Sequence, residues 1–233
     1  IDSKKILPYD WEHSVTPESW HKTFSRNFEE KTLSVFYAGG ISKKKGIYDL
    51  IEAAAAIKEA GRGIEVSIAG TGDVDKLYAF AEEIGVSDDI KLLGLISHDE
   101  VLVGMNKADL VVVPSHHSYP EGLPMTIMES LMVHTPVVAS DHPMFVGRVG
   151  KRGSVTFFEE KNPLSLAKAA LAACESFDIY KKMCDCAPLE WNDLTLELKW
   201  ADLVNAWVSS PFECDFTDFS LYNSSFERLS DQH

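Results

Sequence analysis

The chain has 233 residues and a formal net charge of −14, with an isoelectric point near 4.9. That length suits one large domain or one domain with extensions, and the acidity argues against nucleic-acid binding or docking through a polybasic patch. No apolar stretch reaches the ~18 residues of a membrane-crossing helix and no signal peptide opens the chain, so a cytoplasmic protein is the expectation.

In chain order, Ile6-Leu7-Pro8-Tyr9-Asp10 reads as loop, and Thr16-Pro17-Glu18-Ser19 as a helix start running through Trp20 and Phe24 to about Phe28. From residue 33 strands and helices alternate. Leu33–Ala38 is a strand ending at Gly39-Gly40, and an alanine-rich helix from Gly46 to about Ala60 stops at Gly61 and Gly63. Ile64–Ala69 is a second strand ending at Gly70-Thr71-Gly72, Asp73–Ile84 a helix, and Ile90–Leu93 a third strand. Ser97-His98-Asp99-Glu100 has capping-box spacing ahead of a short helix. Strands follow at Val111–Val113, Pro136–Ala139 and near Ser154–Phe157. A helix then starts at Asn162-Pro163 and runs through Cys174. Six strands with helical crossovers predict an α/β fold, a doubly wound parallel sheet with ligands outside the carboxyl ends of its strands. Beyond Ser176 a helix is expected around Tyr180–Cys184, then an amphipathic one over Asn192–Val208. Residues 209–233 show no periodicity and read as a tail, a partner-binding segment or a cloning remnant.

The four cysteines, Cys174, Cys184, Cys186 and Cys214, lack zinc-site spacing and read as reduced thiols. His116-His117 reads as a surface pair rather than a metal site, because no carboxylate spacing supports it.

The most informative stretch is Tyr119-Pro120-Glu121-Gly122-Leu123-Pro124-Met125-Thr126-Ile127-Met128-Glu129, directly after the apolar run Asp109–Pro114. Gly122 permits a sharp turn, and Pro124 suits the first position of a helix. Met125, Met128, Met132, Ile127 and Leu131 then leave that helix almost no polar face. Glu129 shares a face with Met125 and Met132, where a carboxylate is costly without donors. Glu121 stands before the helix, where free backbone N–H groups also hold anions. Two readings are open: Glu121 caps its helix and Glu129 makes a buried ion pair, or both acids line a ligand crevice.

The order of strand, Glu-Gly-Leu-Pro loop, second acid and Thr135-Pro136-Val137-Val138-Ala139-Ser140 closely resembles the donor-binding half of retaining GT-B glycosyltransferases of the large family four. The resemblance covers about residues 33–208 and implies a Rossmann-like six-stranded sheet forming one lobe of a GT-B fold. It makes residues 1–32 a hinge-like linker, residues 33–208 the nucleotide-sugar-binding domain, and residues 209–233 a tail. Lys45 matches the family lysine at the donor diphosphate, Glu121 the acid at the donor sugar, and Glu129 the acid that accepts from the ribose hydroxyls. Lys45 and Glu121 are therefore the expected catalytic residues. Gly39, Gly40, Ile96, Gly122 and Leu123 join Lys45, Glu121 and Glu129 as expected donor-binding positions, with Ile96 in the loop that holds the base.

The resemblance implies transfer of a hexosyl-type sugar with retention from a UDP- or GDP-linked donor, in polysaccharide or glycoconjugate biosynthesis, with neither metal nor cofactor. The acceptor would come from an N-terminal lobe or a separate subunit, through which the protein would lie peripherally at the inner face of a membrane. One departure is Gly40, where family members commonly carry an arginine on the diphosphate. It keeps open a non-catalytic nucleotide-sugar-binding module as the alternative. An epimerase or phosphorylase of the same architecture is a further rival.

Overall fold

The structure, a computed structural model, describes residues 16–24 and 32–195, together with Val204 and Val208. Two units divide the chain, Thr16–Asn192 in one and Ile1–Val15 with Asp193–His233 in the other. The first contains the whole sheet and every residue of the candidate site.

Its strands are β1 (Leu33–Ala38), β2 (Ile64–Ala69), β3 (Ile90–Gly94), β4 (Leu110–Val113), β5 (Val137–Ser140) and β6 (Val155–Phe158). They form one sheet in the order β3-β2-β1-β4-β5-β6, every neighbouring pair parallel. The helices are α1 (Ile47–Glu59), α2 (Val74–Glu83), α3 (His98–Lys107), α4 (Met125–Met132), α5 (Pro163–Ala173) and α6 (Phe177–Leu194). This is the doubly wound arrangement that the alternation predicts, and its strand order reverses between β1 and β4.

Strands covered by helices on both faces need apolar side chains in both directions, which is why β4 and β5 are buried at every position. Along β1 the alternation sorts the two layers. Val35 and Tyr37 join a core with Leu50 and Ile51 of α1, Ala170 of α5 and Tyr180 of α6. Phe36 faces α3, which comes close because Gly104 has no side chain; a Cβ there would lie 2.4 Å from the Phe36 ring.

Four expectations need correction. The helix from Thr16 to Phe28 is absent over its described part: a single 3-10 turn, Pro17–Ser19, gives way to extended backbone at Trp20. Tertiary contacts outweigh helix propensity there. Lys22 Nζ donates to the carbonyls of Asn106 (2.7 Å) and Ala108 and to Thr135 Oγ1 (2.8 Å), and the Phe24 ring packs edge-on against Phe177 and Tyr180. Second, α6 is one helix, not a short piece followed by a new start at Asn192, and it runs through Pro188. Buried Ala187, Glu190 and Trp191 continue its core-facing stripe past the proline. Third, Pro124 is the N-cap of α4, with Met125 the first helical residue. Fourth, Gly122 is not among the glycines with positive φ, so the loop turns there without left-handed backbone.

The Ile6–Asp10 loop, the helix stretch up to Phe28 beyond Phe24, Cys214 and the segment 209–233 lie outside the described residues. So does the amphipathic helix beyond Thr195, apart from Val204 and Val208, which are helical.

Candidate functional site

The loops leaving β1 and β4 meet at the carboxyl rim where the strand order reverses. After β1 the chain makes a 3-10 turn, Lys43–Lys45, and enters α1 through Gly46 at φ 69°. This glycine is obligatory: a Cβ on it would lie 1.8 Å from the Pro114 carbonyl oxygen at the exit of β4. His116 N–H also donates to the Lys44 carbonyl at 3.0 Å. These contacts seat Lys45 against the segment that carries Glu121.

Glu121 Oε1 accepts from Lys45 Nζ and from Ser115 Oγ, the latter at 2.7 Å. Both members of the ion pair are largely buried. The Lys45 ammonium also lies 4.3 Å from the centroid of the Tyr119 ring, within cation–π range. Ser115 is itself fixed, because Ser140 Oγ donates to its carbonyl at 2.6 Å. Met144 N–H donates to His142 Nδ1, so the proton sits on Nε2, which donates to the Tyr119 carbonyl at 3.1 Å. The Glu121 loop is thus held from β4, β5 and the β1–α1 turn together.

Gly39 and Gly40 close β1. The Tyr37 hydroxyl donates to the Gly40 carbonyl at 2.7 Å; burial, followed by the Glu121 charge, pushes its pKa well up, so it stays a donor. Gly40 is exposed, its φ is not positive, and a Cβ on it would meet nothing within 4 Å. Thr126 Oγ1 reaches the Ala38 carbonyl at 3.4 Å and joins the first turn of α4 to the end of β1. Gly122 is exposed with open space above its Cα, and Leu123 is half-buried.

One turn into α4, Glu129 is only 9% exposed. Its Oε1 lies 2.9 Å from His98 Nε2 at the start of α3. Of the two open readings, helix capping by Glu121 fails, since α4 has no side-chain cap. The buried pair expected for Glu129 is present, and its partner is a half-exposed histidine. Ile96, half-buried, precedes the capping box of α3, in which Ser97 and Glu100 satisfy one another's backbone N–H groups. Its neighbour Leu95 is 85% exposed.

The geometry therefore brings Lys45, Glu121 and Ser115 into one bonded group and Glu129 into a second on the same helix-and-loop unit. Sequence reasoning missed Ser115, Tyr119, Tyr37 and His98. Two of them left a trace: Tyr119 as the first residue of the informative stretch, and His98 as the residue after the capping serine. Of the expected surface pair His116-His117, only His117 is exposed. His116 Nε2 is part-buried on Asp49 Oδ2 at 2.8 Å, and His117 Nε2 bonds Asp141 Oδ1 at 2.8 Å. The carboxylates come from distant segments, so spacing could not reveal them. Among the described residues no group of three or more His, Cys, Asp or Glu is placed to hold a metal, and no helix is long and apolar enough to cross a membrane.

Comparison with known proteins adds a family. The model of the family described as glycosyl transferases group 1 matches residues 18–185. An amylovoran biosynthesis glycosyltransferase of Erwinia amylovora is 30% identical over 132 residues, covering 55% of this chain and 32% of the relative. An alpha-D-kanosaminyltransferase of Streptomyces kanamyceticus is 34% identical over 111 residues, covering 46% and 27%. The chain thus spans about a third or less of the length of these curated relatives. Among solved structures, Anabaena HepE in complex with UDP superposes with a TM-score of 0.65 at 19% identity, over 77% of this chain and 49% of that one. The shared architecture is the Rossmann-like lobe of a GT-B fold.

Proposed function

The chain belongs to the family of glycosyl transferases group 1, and from that premise we propose that it is the donor-binding lobe of a retaining glycosyltransferase. In this reading a UDP- or GDP-linked hexose lies across the rim between β1 and β4. Glu129 accepts from the ribose hydroxyls, Lys45 neutralises the diphosphate, and Glu121 receives the donor sugar. Backbone of Gly39, Gly40, Gly122 and Leu123 approaches phosphate and sugar, and the Ile96 loop approaches the base. Charge grows on the departing diphosphate during transfer, so a cation already fixed there stabilises the transition state without reorganising. The acceptor comes from a second lobe or a partner subunit. No metal or cofactor takes part.

The observation that carries this reading is the buried Glu129 carboxylate, set one turn inside α4 at the point where the strand order reverses. Calorimetric titration of UDP, GDP and ADP into wild type and Glu129→Gln tests it. One nucleotide should bind, and the variant should lose roughly 1.5–3 kcal/mol, the contribution of a hydrogen bond to a charged group. Equal binding by the two proteins would remove the ribose assignment.

Gly40 favours a second reading, a nucleotide-sugar-binding module without transfer activity, because the diphosphate then lacks its guanidinium partner. Transfer assays on labelled nucleotide sugars separate the two. The chain alone should be inactive, since the proximity term of ~7–11 kcal/mol needs a bound acceptor. Adding the acceptor-binding lobe should restore transfer; a binder that stays inactive with that lobe present is the module.

A further inference from the structure

The Glu129 carboxylate poses a problem of orientation. The terminal torsion of a glutamate is broad, so the side chain alone does not fix the plane of its two oxygens. A carboxylate that must accept from two neighbouring hydroxyls benefits from having that plane set beforehand, because ordering it on binding costs affinity. Among the described residues the donor to this carboxylate is His98 Nε2, at 2.9 Å from Oε1. Either a neutral ring protonated at Nε2 or a fully protonated ring presents an N–H there.

The surroundings hold that contact from both ends. Ser97 and Glu100 form a reciprocal capping box, which fixes the backbone on either side of His98. At the far end of the same pair of helices, Asn106 Nδ2 donates to the Val133 carbonyl and Thr135 Oγ1 to the Met105 carbonyl, both at 2.8 Å. α3 is thereby joined at its start to the middle of α4 and at its end to the segment just after α4. The side chain of His98 is about half exposed while Glu129 is nearly covered, so the contact runs from a buried acid to a ring that reaches solvent.

From this geometry we infer that His98 is a positioning residue for nucleotide recognition: it engages Oε1 of Glu129 and turns Oε2 toward the ribose hydroxyls. The inference rests on the ribose reading of Glu129 and adds to it a residue on a different helix. It commits to cooperation between ring and acid, not to competition between ring and ribose. Loss of the imidazole should therefore weaken nucleotide binding, and only through the hydroxyls.

The test compares UDP with 2′,3′-dideoxy-UDP by calorimetry on wild type, His98→Ala, His98→Gln and Glu129→Gln, with thermal unfolding of each variant as a folding control. Wild type should prefer UDP. His98→Ala should bind UDP about tenfold more weakly, the equivalent of one hydrogen bond to a charged group, and bind the dideoxy nucleotide as wild type does. His98→Gln, whose amide still donates, should recover most of the preference. His98→Ala binding UDP like wild type would overturn the inference, as would an equal loss on both nucleotides. Tighter UDP binding by His98→Ala would overturn it too, because the ring would then be a competitor. These results leave the ribose reading standing. If wild type makes no distinction between the two nucleotides, that reading falls and the inference with it.

Discussion

Replacing Gly46 by alanine should reveal how tightly the Lys45 turn is tied to the sheet. The added Cβ would lie 1.8 Å from the Pro114 carbonyl oxygen and 2.9 Å from the Pro114 Cβ. Real contacts of this kind do not fall below 3.0 Å, so the two backbones must part by more than 1 Å, shown by the difference between those figures. Alanine at φ 69° adds about 1–2 kcal/mol of left-handed strain. Parting the loops also stretches the 3.0 Å bond from His116 N–H to the Lys44 carbonyl, for roughly another 1 kcal/mol. Reduced freedom of the unfolded chain returns about 0.4–1 kcal/mol. Those contributions come to about 1–2.5 kcal/mol, and the partly relaxed clash adds about 1–3 kcal/mol. The loss is then about 2–5 kcal/mol, and at about 2–4 °C per kcal/mol for a domain of this size Tm should fall by roughly 4–20 °C. Urea unfolding followed by circular dichroism gives the free energy, and differential scanning calorimetry the shift in Tm. Gly40→Ala is the matched control, since its Cβ meets nothing and its φ is not positive; it should stay within about 0.5 kcal/mol of wild type. If Gly46→Ala proves as stable as that control, the two loops are not clamped as described.

Gly40→Arg should fold normally and bind UDP more tightly by about 1–2 kcal/mol, as expected of a charge-assisted contact; unchanged affinity by calorimetry would show that the position does not face the diphosphate. Glu190 on α6 accepts from the N–H groups of Gly150 and Lys151 and from Ser154 Oγ, so Glu190→Ala should lose roughly 1–3 kcal/mol in urea unfolding by leaving the buried Ser154 hydroxyl and the part-buried Gly150 N–H without their acceptor. Burial pushes the Cys184 thiol up to about 11 from 9.0 and raises the neighbouring Tyr180 phenol as well. The thiol is neutral in the fold, so its contribution is complete below pH 9 and is lost as pH rises through about 11. For the thiol this is about 2–3 kcal/mol, and Cys184→Ala should flatten part of the alkaline fall in unfolding free energy.

What could be read from the sequence followed what is local. Strand and helix periods, the Ser97–Glu100 capping box and the glycines ending β1 and β2 act within a few residues, and each is found where the pattern puts it. Glu121 and Glu129 stood out because acids next to an apolar helix conflict with their surroundings. Their partners did not, because Lys45 is 76 residues from Glu121 and His98 is 31 from Glu129; spacing carries no trace of such pairs. The two main errors in secondary structure share a cause. Trp20 to Phe24 has acceptable helix propensity, yet Lys22 and Phe24 gain more from reaching carbonyls and rings on distant elements. Pro188 should interrupt a helix, yet the buried face from Tyr180 to Trp191 continues across it. In both places packing between elements outweighs a preference of about 1–3 kcal/mol within one.

The bonded group around Glu121 bears on how a donor would enter. Here the Lys45 ammonium is shared between the Glu121 carboxylate and the Tyr119 ring, and this pairing keeps two poorly solvated charges satisfied. In the proposed mode of binding, a diphosphate reaching Lys45 supplies a second anion, and the lysine can turn toward it without losing an anionic partner. Ser115 Oγ, fixed through Ser140, continues to donate to Glu121 after the lysine has turned. Glu121 then gains acceptor capacity at the moment when sugar hydroxyls arrive with the same ligand. In that mode, diphosphate and sugar recognition would be coupled through one carboxylate. A nucleoside diphosphate alone would give Lys45 a new anion and bring Glu121 nothing in exchange, whereas the full nucleotide sugar would supply a partner to each. Ser115→Ala should consequently weaken binding of a nucleotide sugar more than binding of the matching nucleoside diphosphate, and equal losses on the two in calorimetry would show that Ser115 serves the loop rather than the sugar.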